Sequence, residues 1–287
     1  MQQGQDMIQR LNRSGNKLSK SHRRIAEYIT QHYDKAVLMT ASKLGEAVSV
    51  SESTVVRFAV ALGYEGYPEL QQSLQELARQ RLTTTQRFEM SADIEQTSVL
   101  QTVLRADMQN IRATIEESDN QAFCRAVQAI SSAKRLYILG LRSAAPLAEF
   151  AGCYLHYIFD DVRVIASGST DVFDAIARIK PDDVLLGISF PRYSSRTIEA
   201  MRYARTHHAQ VIGITDGPMS PLHEEADICL SVHTDMASFV DSMAAPMSVI
   251  NALIVALGVK HRDALAERLK QLEEVWDAHS VYMNEGN

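Results

Sequence analysis

The sequence predicts an α/β protein with an all-α N-terminal domain, because its apolar pattern changes character once along the chain. Up to about residue 78 the spacing is helical, with Ile25, Tyr28 and Ile29 on one stripe and Leu70, Leu74 and Leu77 on another. From residue 135 short β-rich runs alternate with helical stretches: RLYILG (135–140), VRVIA (162–166), DVLLGIS (183–189), AQVIGIT (209–215) and DICLSV (227–232). Each run is almost continuously apolar, as a strand covered on both faces must be, and the chain between runs is long enough for a crossover helix. Together they predict a five-stranded, parallel, doubly wound sheet.

The 287 residues suit two domains. Residues 79–96 are polar, Thr-rich and aperiodic, so the expected division is a helical domain over 1–78, a linker over 79–98 and the sheet domain over 99–287. A helical pattern through Leu100, Val103, Leu104, Met108, Ile111 and Ile115 occupies about 98–132 and leads into the first strand. An apolar helix near 241–258 and a charged one near 261–280 would close the domain or pair with a second subunit.

Composition narrows the function. A hydrophobic fraction of 46% with 22% charged residues is that of a globular protein. The first 17 residues are polar, so no export signal is expected and the cytoplasm is the expected compartment. The charge-free stretch from Ser242 to Val259 contains Pro246, Ser248 and Asn251 and reads as a buried helix, not as a membrane segment. Cys124, Cys153 and Cys229 form no CxxC pair and are expected to be small buried hydrophobes. The nine histidines lack a ligand spacing, so neither a metal nor a cofactor is expected.

Charge is unevenly distributed. Residues 1–82 hold 11 Lys/Arg against 8 Asp/Glu, a net of +3, which leaves −9 for the rest of a chain whose total is −6. A basic N-terminal third ahead of an acidic domain permits contact with nucleic acid.

The segment Thr40–Leu62, TASKLGEAVSVSESTVVRFAVAL, carries the signals of two short helices joined by a tight turn. Thr40 or Ser42 can cap the first, Val48-Ser49-Val50 makes the turn, and Ser51 can cap the second. Val55, Phe58, Ala59 and Leu62 recur at helical spacing and face inward, which throws Ser53, Thr54 and Arg57 outward together. That is the equipment of a recognition helix, where an arginine fork reads guanine and short hydroxyls enter the groove beside it. Nearby Lys17, Lys20, Arg23, Arg24 and Lys43 are candidate phosphate contacts. A plain helical hairpin with a polar face has the same pattern.

Val50-Ser51, Thr54-Val55, Arg57-Phe58, Leu62-Gly63-Tyr64, Gly66 and Tyr67 follow one another in the order and spacing of a string shared by the RpiR/MurR transcriptional regulators, which this chain resembles. The resemblance implies operator DNA as partner and a C-terminal sugar-isomerase (SIS) domain that binds phosphosugars. It extends to Gly140, Ile188-Ser189, Thr197 with Glu199, and ITDGPMSPLHEEADICL (214–230). Loops at the C-terminal ends of parallel strands, followed by helix N-termini, form an anion cradle.

Two loops depart from that family. A GxGxS turn is expected after the first strand, whereas the chain reads Gly140-Leu141-Arg142-Ser143-Ala144, with Arg142 at the second glycine. After the third strand an SxSGxT string is replaced by the longer Ser189-Phe190-Pro191-Arg192-Tyr193-Ser194-Ser195-Arg196-Thr197. The ligand residues implied are Arg142, Ser143, Ser189, Arg192, Ser194, Ser195 and Thr197, with Arg142 and Arg192, or Arg196, supplying charge to a phosphate or carboxylate.

The expectation is a regulator, active as a homodimer or homotetramer, whose operator binding responds to a small anionic metabolite. The alternative is an enzyme of the sugar-phosphate isomerase type, for which His223, Glu224 and His233 would have to provide the base.

Overall fold

The computed structural model describes residues 10, 18–37, 39–71, 73–74, 83–90, 96–166, 171–236 and 239–282. Lys17, Leu77 and much of the expected linker lie outside them. The chain divides into two compact units, Met1–Val103 with Met236–Asp241, and Leu104–Asp235 with Ser242–Asn287.

In the first unit α1 (Lys20–Gln31), α2 (Tyr33–Ala36), α3 (Ala41–Ala47) and α4 (Glu52–Ala61) precede further helical residues at 67–71. Ser19, Thr40 and Ser51 each cap a helix by accepting a backbone N–H three residues on. Ile25, Ile29, Leu44, Val55, Phe58 and Leu70 meet in one apolar core. The tyrosines of the Gly63–Tyr67 string hold the unit's frame. Tyr67 donates from its hydroxyl to the Met39 carbonyl at 2.7 Å, and burial pushes its pKa up to about 12.

The interval expected to be an unstructured linker contains α5 (Thr84–Met90). Its start is a reciprocal cap: Thr83 Oγ1 accepts from the Gln86 amide at 3.3 Å while Gln86 Oε1 accepts from the Thr83 amide at 3.0 Å. Arg87 on this helix is buried and pairs with Asp241 at 2.8 Å in the same unit.

The 98–132 pattern resolves into two helices, α6 (Val99–Glu117) and α7 (Asn120–Ser132). Asp119 separates them by accepting the amides of Gln121 and Ala122. The second unit then runs β1 (Arg135–Gly140), α8 (Ala145–Leu155), β2 (Val162–Ile165), α9 (Val172–Ile176), β3 (Asp183–Ile188), α10 (Ser195–Thr206), β4 (Gln210–Thr215), α11 (Pro221–Glu225), β5 (Ile228–Ser231), α12 (Ala244–Lys260) and α13 (Arg262–Ala278). All five strands pair in parallel in the order β2-β1-β3-β4-β5.

Successive residues of one strand feed opposite layers, as the pleat requires. Leu136 and Ile138 enter the core that holds α7, α8 and α12, whereas Tyr137 and Leu139 enter the core under α9 and α10. That double burial is why the inner strands β1, β3 and β4 read as nearly unbroken apolar runs, whereas the edge strands β2 and β5 expose Arg163 and Ser231.

The cysteines correct the sequence expectation: Cys124 and Cys153 are exposed, and only Cys229 is half-buried, its thiol pushed up to about 11 by that burial. Cys124 and Cys153 lie on helix faces turned away from the core, a position that cysteine content alone does not reveal. Among the described residues no single helix is long and apolar enough to cross a membrane.

Candidate functional site

Two sites were expected, one in each unit. In the first, α3 and α4 meet through a close backbone approach at Gly45, where a Cβ would lie 2.8 Å from the Val50 carbonyl oxygen. The turn between them carries Ser49 at φ 54°, in the left-handed region. A small residue on α3 and a bent turn therefore fix how α4 is presented.

On α4, Val55, Phe58 and Ala59 are fully buried while Ser53 and Arg57 are exposed and Thr54 is half-buried. The hydroxyls form a chain: Ser51 Oγ lies 2.9 Å from Ser53 Oγ and 2.8 Å from Thr54 Oγ1. Arg57 donates from Nε to the Ser53 carbonyl at 3.2 Å and from Nη2 to Thr54 Oγ1 at 3.4 Å. Ser51, Ser53, Thr54 and Arg57 thus make one continuous polar surface on the first turns of a helix. Lys43 is exposed in the first turn of α3 and Lys20 is exposed at the start of α1. Behind this surface stands His22, a residue the sequence did not single out, edge-on to Phe58 with ring centroids 5.7 Å apart. Burial, and then the Arg57 charge, hold its pKa below the usual value.

In the second unit the strand order places the switch point between β1 and β3, whose last residues Gly140 and Ile188 are register partners. Ligands in open parallel sheets bind in this crevice. Both departing loops, after Gly140 and after Ile188, leave the sheet there.

Gly140 is required by packing, since a Cβ would lie 2.5 Å from the Ala144 carbonyl oxygen. Arg142 and Arg192 are exposed and both adopt left-handed backbone angles, φ 57° and 69°. Ser143 and Ser195 are exposed. Ser189 is buried, and its hydroxyl accepts the Ser194 amide at 3.2 Å. Ser194 in turn caps α10 by accepting the Thr197 amide at 3.4 Å. Thr197 is completely buried, and its Oγ1 has no hydrogen-bond partner among the described residues. Leaving a buried hydroxyl unpaired costs about 1–3 kcal/mol.

Arg196 is directed elsewhere. It forms an ion pair with Asp171 at 2.8 Å and lies over the Phe173 ring. The Asp171 carboxyl is held below its ordinary pKa, first by the Phe173 amide and then by this guanidinium. Sequence reasoning also missed a brace on the longer loop: Tyr193 donates to Asp216 Oδ1 at 2.7 Å, and Thr215 donates to the same oxygen at 3.0 Å. Of the residues considered as catalytic bases, His233 is paired with Glu117 at 2.9 Å, and His223 and Glu224 are exposed on α11.

Two family models match the chain, the helix-turn-helix domain of the rpiR family over residues 5–80 and the SIS domain over residues 129–256. The HTH-type transcriptional regulator HexR of Pseudomonas aeruginosa is 24% identical over 277 residues, covering 94% of this chain and 95% of the relative. Among solved structures, the sugar isomerase domain of an RpiR transcription factor from Sphaerobacter thermophilus has a TM-score of 0.59 at 24% identity, covering 62% of this chain and 99% of its own. The NanR protein of Vibrio vulnificus has a TM-score of 0.58 at 18% identity, covering 94% of this chain and 98% of its own. With both models matched in the order in which the two units occur, the chain belongs to the RpiR family of helix-turn-helix transcriptional regulators that carry a C-terminal SIS domain.

Proposed function

We propose that this regulator reads operator DNA with α4 and that a small anionic metabolite, a sugar phosphate or a related acid, binds at the β1/β3 crevice and changes its affinity for that DNA. Arg57 contacts base edges together with Ser51, Ser53 and Thr54, while Lys20 and Lys43 contact phosphates. The observation that carries this half is the unbroken polar surface on the first turns of a helix whose opposite face is fully buried.

For the metabolite, the supporting observations are the unpaired Thr197 hydroxyl and the two arginines in left-handed conformation. A ligand oxygen that bonds Thr197 removes the penalty for burying it unpaired. Arg142 and Arg192 supply guanidinium forks, Ser143 supplies donors in the loop after β1, and Ser189, Ser194 and Ser195 supply them between the end of β3 and the start of α10. Vibrio vulnificus NanR was solved complexed with ManNAc-6P, which makes that compound a natural first probe. The SIS domain acts here as a sensor without turnover, and the protein works in the cytoplasm as a homodimer or homotetramer.

The experiment is a thermal-shift screen of the full chain against phosphorylated sugars and small organic acids. A ligand at 100 times its Kd raises stability by about 2.7 kcal/mol. Hits must lose their effect in Arg192→Ala and must shift the DNA-binding curve of the wild type. Compounds that stabilise both proteins equally contradict the assigned site.

A further inference from the structure

The core-facing stripe that runs into α1 passes through Leu18, His22, Ile25 and Ile29, spaced 4, 3 and 4 residues apart. Ile25 and Ile29 are fully buried in the core of the first unit. His22 puts a titratable ring into this apolar row, half-buried and edge-on to Phe58. Neither of its ring nitrogens is hydrogen-bonded among the described residues. The surroundings are cationic: Lys20, Arg23 and Arg24 are exposed on α1, Lys43 on α3 and Arg57 on α4. None of these five pairs with a carboxylate among the described residues, whereas Arg112, Arg163, Arg196, Arg202 and Arg268 of the second unit each do. Of the charged groups on the helices around His22, Arg57 acts on the ring, and Glu52 of α4, Glu27 of α1 and Lys35 of α2 do not. Such a set of unneutralised charges favours an anion beside it.

From this placement we infer that His22 is a further contact for the DNA backbone, donating from a protonated ring nitrogen to a phosphate oxygen, so that each domain that docks takes up one proton from solvent. The inference rests on the docking of α4 proposed above. His22 stands on α1, off the turns of α4 assigned to bases, and phosphates flank the groove where elements packed beside a recognition helix meet them. In the free protein, burial and the neighbouring Arg57 charge disfavour the charged ring, so it holds its proton only below the usual histidine value. A phosphate offsets the Arg57 charge, and its oxygen accepts from the imidazolium, so in the complex the proton is held to higher pH. Between those two values association consumes a proton, and affinity rises as pH falls.

Phosphate contacts carry no base preference, so the probe is a random-sequence duplex at low, fixed ionic strength. It is titrated with the full chain by fluorescence anisotropy across the histidine pH range. Wild-type affinity rises as pH falls, by up to about tenfold per pH unit for each domain engaged. His22→Gln and His22→Phe both remove this rise, and the second fills the apolar position, so that a failure to fold does not account for the loss. Calorimetry of the same titration in two buffers of different ionisation heat shows proton uptake by the wild type and none by the variants. A wild type whose affinity is independent of pH, or variants that keep the wild-type rise, overturn the His22 contact and leave base reading by Arg57 standing. A wild type that binds no duplex at any pH overturns the contact and the role of α4 together.

Discussion

Arg57 lies folded back along its own helix, with Nη2 donating to Thr54 Oγ1 at 3.4 Å, so the arginine and the threonine proposed to read bases share one hydrogen-bonded surface. The bond is long and exposed, and turning the guanidinium outward costs little. Replacing Arg57 by Ala is expected to weaken operator binding by about 1–3 kcal/mol and to relax preference at one base pair per half-site. Fluorescence anisotropy with single-substitution duplexes measures both.

Lys20 and Lys43 are assigned to phosphates, and phosphate contacts are read in salt. Each alanine substitution should lower the slope of log K against log salt by about 0.9 while leaving base preference unchanged. A slope identical to wild type would return that lysine to the solvated surface.

Arg142 and Arg192 occupy backbone conformations that glycine adopts without strain. Arg142→Gly and Arg192→Gly should therefore keep the Tm close to wild type, within the equivalent of about 1 kcal/mol, because relief of strain offsets the added freedom of the unfolded chain. Both should abolish the thermal shift produced by an anionic effector. Calorimetry with and without ligand separates the two effects.

Gly45 has the opposite character. Its substitution by Ala forces a Cβ to within 2.8 Å of the Val50 carbonyl oxygen, which is backbone and cannot swing aside. A loss of about 1–3 kcal/mol is expected, together with DNA binding weaker than the stability loss accounts for. Urea denaturation gives the first and anisotropy the second.

His22 makes stability depend on pH. Its pKa is lowered in the folded protein by burial and by Arg57, so just below the usual 6.5 the unfolded chain binds more protons than the folded one. Stability should rise with pH through that window and fall as pH drops below the usual histidine value. His22→Phe should flatten part of this decline in thermal melts.

Much of this was legible in the residues because the signals were local or periodic. Val55, Phe58, Ala59 and Leu62 are buried as their spacing requires, and Ser51 caps the helix that it was expected to cap. Strand positions followed from apolar runs that two helical layers cover. Chain-distant pairings were not legible: Tyr193 with Asp216, Arg196 with Asp171, and His22 with Phe58 depend on which elements the fold brings together. The α5 helix was missed even though Thr83 and Gln86 spell a capping box, because only one turn of pattern follows it. On α6 the spacing announced a stripe and left its direction open. Periodicity says that a stripe exists, and only packing says whether the stripe faces the core or another molecule.

The central claim is that α4 reads base sequence through Arg57. Selection from a random duplex pool with the full wild-type chain and with Arg57→Ala tests it most directly. The account predicts that the wild type enriches a two-fold related motif and that the variant loses information at one base pair in each half-site, the rest of the motif remaining. No enrichment by the wild type, or the same motif from both proteins, would contradict it.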